Sequence, residues 1–187
     1  MVTKRYSRGE LRRARLLDAA VAVIAEHGLE GVTHRAVAAA AGVPLATTSY
    51  FFSSLDELVG AAVTRVADAI LESADVLAEG APVEHTIDLL VEVVTAPTVL
   101  VQFEAYLGRS RRPELVEPVT RIVEAYESAA TTVLRSLGVL EPARAARHLI
   151  ALLDGFALQR IAHPRPDDRE VLRDAVRLFA RAYLPSQ

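Results

Sequence analysis

The 187-residue sequence predicts an all-α protein of about nine helices, on three observations. Hydrophobic residues make up 51 % of the chain and aromatic residues only 5 %, with Ala, Val and Leu dominant, a composition that suits packed helices better than a β-sandwich. Apolar residues recur at helical spacing in segment after segment, and no strand or hairpin pattern competes. Gly and Pro punctuate the segments where helices would start or stop.

Taken in order, Ser7 and Glu10 make a capping box, and Ala14, Leu17, Val21 and Ile24 carry a first helix from about Arg8 to His27, stopped by Gly28. Thr33 caps a short second helix with Val37, Ala38 and Ala41 inward, ended by Gly42. Pro44 fits the first turn of a third short helix reaching about Phe51. Ser54 and Glu57 form another capping box, from which Leu58, Val59, Ala62, Val66 and Ile70 lead a long fourth helix towards Gly80. Beyond it, Pro82, Pro97, Pro113, Pro142 and Pro166 stand near helix starts or breaks, which predicts helices at about 82–95, 98–111, 114–137, 142–163 and 167–183. The last two are apolar on more than one face, through Leu149, Ile150, Leu152, Leu153 and Phe156, then Val171, Leu172, Ala175, Val176, Leu178 and Phe179. Helices of that kind need a second packing partner, and another subunit would supply it. Leu149, Leu153, Leu172, Val176 and Phe179 are the expected dimer contacts.

Composition narrows the function. With no cysteine, the chain has no disulfide, thiol switch, Cys metal site or Cys nucleophile. The five histidines, His27, His34, His85, His148 and His163, show no metal-ligand spacing, and no nucleophile elbow or kinase signature is present. Neither enzymatic activity, a cofactor nor a metal is therefore expected. No apolar run approaches the roughly 18 to 20 residues that span a bilayer, and no apolar segment with a cleavage site follows the basic N-terminus. A cytoplasmic protein without a membrane partner is the expectation. The net charge of -3 hides an asymmetry: residues 1–50 hold seven Lys and Arg against four acids, the remainder fourteen against twenty. A basic head on an acidic body suits a protein that brings only its head to phosphates.

The informative stretch runs from Thr33 to Phe51, THRAVAAAAGVPLATTSYF. A helix-turn-helix needs a small residue where its helices cross, here Ala38, and a turn residue tolerant of positive φ, here Gly42 four residues on. Val37, Ala41, Val43 and Phe51 are the expected anchors to the first helix, with Thr48 also inward. Pro44, Leu45, Ala46, Thr47, Ser49 and Tyr50 then point outward. This face is neutral, short and hydroxyl-bearing, so it can enter a major groove, with Leu45 and Ala46 against thymine methyls. It holds no Arg, Asn or Gln for a bidentate base contact, so affinity should come from phosphates and specificity partly from DNA shape. The expected phosphate contacts are Thr33, Arg35, Tyr50 and the arm residues Lys4, Arg5 and Arg8, an arm that can also reach a minor groove.

The segment from Thr33 to Leu58, THRAVAAAAGVPLATTSYFFSSLDEL, resembles the DNA-binding signature of the TetR (tetracycline-repressor-like) family. The likeness lies in Val37-Ala38, Ala41-Gly42-Val43, Phe51-Phe52 and Asp56-Glu57-Leu58. It departs at Ser49, where the family commonly has Tyr, and at Leu55, where a phosphate-contacting Lys is frequent. The resemblance implies a DNA-binding domain over residues 1–53 and a helical ligand-binding and dimerisation domain over 54–187. It further implies a homodimer, a double-stranded palindromic operator, a small-molecule effector, and heads moved out of register through the fourth helix. A helical small-molecule carrier or adaptor without DNA regulation is the alternative.

For the effector, Gln102, Phe103, Tyr106, Leu107, Tyr126, Asp154, Phe156, Gln159, Arg160 and His163 offer the mixture of aromatic and polar groups that lines ligand pockets, with Asp154, Gln159 and Arg160 the leading polar candidates. The run Arg109-Ser110-Arg111-Arg112-Pro113-Glu114 reads as a solvated helix junction.

Overall fold

The structure is a computed structural model that describes residues 8–78 and 81–184, with the side chains of residues 75–78 left aside. Among the described residues are nine α-helices and no strand: α1 Arg8–His27, α2 His34–Ala41, α3 Leu45–Phe51, α4 Leu55–Ala78, α5 Val83–Thr95, α6 Val99–Gly108, α7 Val116–Ser136, α8 Pro142–Ala162 and α9 Asp168–Tyr183. Short 3-10 turns stand at Leu29–Gly31 and Pro113–Leu115. Packing divides the chain into two units, Met1–Val66 with Leu100–Ile122, and Ala67–Val99 with Val123–Gln187. This partition differs from a division after residue 53, because residues 100–122 pack with the N-terminal helices.

In the first unit, α1 buries Leu16, Leu17, Ala20, Val23 and Ile24, one stripe at helical spacing, and α2 packs on it. Val37 and Ala38 are buried as expected. Phe51, however, is only half-buried, and Phe52 is the ring sealed in the core, because the chain turns extended at Phe52 and aims that side chain back inward. Pro44 is the N-cap of α3, one position earlier than its expected place in the first turn. The helix expected over 98–111 ends at Gly108. Pro113 disfavours helical backbone at Arg112, which is extended at φ -128°, and the 3-10 turn delays α7 to Val116.

In the second unit, α9 lies antiparallel on α5 through three arginines spaced one helical turn apart. Arg169 donates to Thr95 Oγ1 at 3.2 Å, Arg173 pairs with Asp88 at 2.9 Å and Arg177 with Glu84 at 2.8 Å. Leu172 and Val176 lie in the chain's own core, at 0 and 3 % exposure. A second cluster joins Leu134, Val139, Ala145 and Ala146 to the half-buried Phe179 and Tyr183.

These contacts engage most of the expected dimer residues within a single chain. Leu149, Leu172 and Val176 are buried within one chain, and Phe179 is committed to the α7–α8–α9 cluster, while Leu153 is half-buried. The partner that α9 needed for its doubly apolar pattern is largely α5. The apolar side chains that stay exposed are Leu152, Leu158 and Ile161 on α8 and Val171 and Leu178 on α9.

Candidate nucleic-acid interface

Local chemistry shapes the α2–turn–α3 unit. Thr33 Oγ1 accepts the Ala36 N–H at 3.0 Å, the N-cap anticipated from the sequence. Gly42 adopts φ 64°, ψ 38°, and paired bonds from Gly42 N to Ala39 O and from Val43 N to Ala38 O close a Schellman end on α2. One C-terminal carbonyl of α2, that of Ala41, accepts from Arg15 Nη2 of α1 at 2.8 Å. On α3, Thr48 is fully buried, its hydroxyl donating to Leu45 O at 2.7 Å. Its neighbours are thereby turned outward.

Pro44, Leu45, Ala46, Ser49 and Tyr50 are exposed, with Tyr50 at 82 %, and Thr47 is half-buried. Arg8, Thr33 and Arg35 are also exposed, and the arm residues Lys4 and Arg5 lie outside the described residues. The outer surface of α3 is thus a patch of methyl and hydroxyl groups ending in a phenol.

Two arginines of α1 support this patch. Arg15 holds α2, and Arg13 sits over the Phe52 ring with its guanidinium carbon 5.2 Å from the centroid. Neither contact is marked in the local sequence, because the carbonyl lies 26 and the ring 39 residues further along the chain. At the start of α4, Ser54 Oγ accepts the Glu57 N–H at 3.1 Å, one half of the anticipated capping box. The Glu57 carboxylate reaches one residue further back, accepting the Ser53 hydroxyl at 2.6 Å and the Ser53 N–H at 2.7 Å. The hydroxyl, then the N–H, holds the Glu57 carboxyl below its ordinary range.

The expected ligand residues fall into both packing units. In the first, Gln102 is buried and donates to the Tyr106 hydroxyl at 3.1 Å, and Phe103 meets Tyr106 edge-on with centroids 6.2 Å apart. Leu107 faces solvent instead, because it lies on the side of α6 opposite the buried Val101 and Ala105. In the second, Tyr126, Asp154 and Phe156 are half-buried, and Gln159 and His163 are exposed. Arg160 stands 3.7 Å from the buried Asp168 carboxylate. A groove of about 460 Å³ in this unit is lined by Arg144, Arg147 and His148, none of them among the expected ligand residues. Among the described residues no group of three or more His, Asp or Glu is placed to hold a metal ion.

Comparison with known proteins adds independent findings. Residues 81–182 match the model of the tetracyclin repressor-like C-terminal domain, and residues 16–62 that of the bacterial regulatory proteins of the tetR family. The nicotine-responsive transcriptional repressor HdnoR of Paenarthrobacter nicotinovorans is 28 % identical over 165 residues, 82 % of this chain and 85 % of that protein. The multidrug binding protein EbrR, solved with proflavin, is 29 % identical at a TM-score of 0.59, covering 90 % of this chain and 99 % of its own. A TetR-family member from Streptomyces coelicolor A3 is 29 % identical at a TM-score of 0.65, covering 94 % and 99 %.

Proposed function

The chain belongs to the TetR family of bacterial regulatory proteins, and from that premise we propose that it is a transcriptional repressor that grips a palindromic operator as a homodimer and releases it when a small molecule binds. The observation that carries the reading is the exposed face of α3, where Leu45, Ala46, Ser49 and Tyr50 stand clear of the core behind a buried Thr48. Such a face reads thymine methyls and groove shape, while Tyr50, Thr33, Arg35 and Arg8 hold phosphates. Lys4 and Arg5 complete the arm in this reading. The division into a DNA-binding head, residues 1–53, and a ligand-binding and dimerising body, residues 54–187, is part of the same proposal.

For the homodimer, the exposed apolar side chains Leu158 and Ile161 of α8 with Val171 and Leu178 of α9 support an isologous contact between the two terminal helices of each copy. For the effector, the ligands named for HdnoR and EbrR support an organic cation bearing an aromatic ring. The excess of acids over bases beyond residue 50 favours the same charge. Tyr126, Asp154 and Phe156 are the proposed contacts in the second unit, and Gln102, Phe103 and Tyr106 in the first.

Selection of bound fragments from a genomic pool, followed by salt titration, tests the function. Sequence-specific binding to an inverted repeat, falling steeply with salt, is expected. A dimer that binds proflavin or ethidium but leaves no footprint on any fragment would instead make the chain a helical carrier. With no tryptophan in the sequence, polarisation of the dye's own fluorescence is the direct readout of ligand binding.

A further inference from the structure

We infer that Glu104 is a positioning residue for DNA recognition: its carboxylate, presented by α6, completes the turn between α1 and α2 and so sets where the helix-turn-helix stands. The inference rests on the proposal that this unit binds DNA.

The turn itself makes the demand. Gly28 ends α1 at φ 68°, ψ 178°, a conformation that essentially only glycine enters. Its own N–H still bonds back to Ile24 O at 2.9 Å, whereas the Leu29 N–H donates sideways to Glu104 Oε2 at 3.1 Å, across 75 residues of sequence. A side chain at Gly28 would stand 3.4 to 3.5 Å from the same carboxylate, so the turn and the carboxylate fit each other closely. Leu29 is buried, which leaves its N–H few alternatives if Glu104 withdraws.

The next two residues of the turn are gripped from the same stretch of chain. Gly108 lies so close to Leu29 that a Cβ on it would come within 2.9 Å of both Leu29 Cδ1 and Leu115 Cδ1. Arg112 pairs with Glu30 at 2.6 Å, its side chain only a quarter exposed. Gly28 and Leu29 at Glu104, Leu29 at Gly108 and Glu30 at Arg112 form a clasp, only three residues before the Thr33 cap of α2. The arginine-rich junction is therefore not simply solvated: Arg112 belongs to the clasp. Gln102, Phe103 and Tyr106, proposed above as effector contacts, ride on the same helix as Glu104. A ligand that turns α6 moves the carboxylate too, and a displacement of about 1 Å takes this bond beyond hydrogen-bonding distance.

The test uses the full chain and an operator fragment obtained by selection. Glu104→Ala is expected to bind about tenfold more weakly at a temperature where helical content and dimer mass match the wild type, with faster amide exchange at Leu29. Glu104→Gln, which keeps an oxygen acceptor, should recover most of both. Should the alanine variant fail to fold, Glu104→Asp keeps the charge but shortens the reach, and is expected to lose affinity likewise. Wild-type affinity in the variants that withdraw the acceptor, or equal losses in Glu104→Gln and Glu104→Ala, overturns the inference. If the wild-type chain selects no DNA, the proposed function fails first and takes this inference with it.

Discussion

Tyr50 stands edge-on to Phe51, their ring centroids 5.0 Å apart and their planes at 88°. The half-buried Phe51 ring limits how an otherwise exposed tyrosine can swing, so the phenol is held at the rim of the proposed DNA face. Tyr50→Phe keeps the ring contact and removes only the hydroxyl. It is expected to weaken every operator variant alike, by roughly three- to tenfold, as loss of one phosphate hydrogen bond would. Competition binding with base-substituted operators checks this, and a loss confined to one base position would assign Tyr50 to base reading. Thr47→Ala should do the reverse and change base preference.

Gly42 has open space around its Cα, with Arg15 Nη2 the nearest atom to a Cβ at 3.8 Å, so sterics alone would admit alanine there. Backbone geometry would not. At φ 64° an L-residue costs about 1 to 2 kcal/mol, and Gly42→Ala should lower stability by that amount in urea unfolding, with Gly42→Asn milder. Equal stability of the three proteins would contradict the turn geometry.

Leu158 and Leu178 are 54 and 64 % exposed within one chain, whereas Val176 is 3 % exposed. Leu158→Glu and Leu178→Glu are expected to yield folded monomers, seen by sedimentation and circular dichroism. Val176→Glu should lower the melting temperature steeply, because it buries a charge in the chain's own core. Dimers that survive both leucine changes would move the interface elsewhere.

Because the Glu57 carboxyl is held below its ordinary range in the folded chain, its contribution to stability is fully present above that range and is lost as pH falls through the lowered value. The α3–α4 junction should therefore loosen in acid. Ser53→Ala removes the side-chain hydroxyl, the largest cause of the shift, and should flatten the fall of melting temperature as pH drops through and below the ordinary carboxylate range. An unchanged pH profile in Ser53→Ala would remove Ser53 as its source.

Much of the head was legible because its signals are local. A threonine three residues before an N–H, a glycine four residues after a crossing alanine, and a buried hydroxyl bonded three residues back are all written within a few positions of one another. Phe51 and Phe52 mark the limit of that legibility. Either could have been the buried ring, and the extended backbone at Phe52 made the choice.

By itself the sequence determined the helical class, the stops and caps of α1 to α3, and the hydroxyl-bearing character of the exposed face of α3, because each depends on neighbours along the chain. Tertiary structure alone decided which face of α9 is spent inside the chain's own core. It also decided which acceptor completes the α1–α2 turn, and what Arg13, Arg15 and Arg112 are for. The α5–α9 pairs join residues 74 to 93 positions apart, and Glu104 meets Leu29 across 75. Periodicity shows that a helix has an apolar or a charged stripe. What fills the space opposite that stripe depends on how distant segments fold back, and no local pattern encodes it.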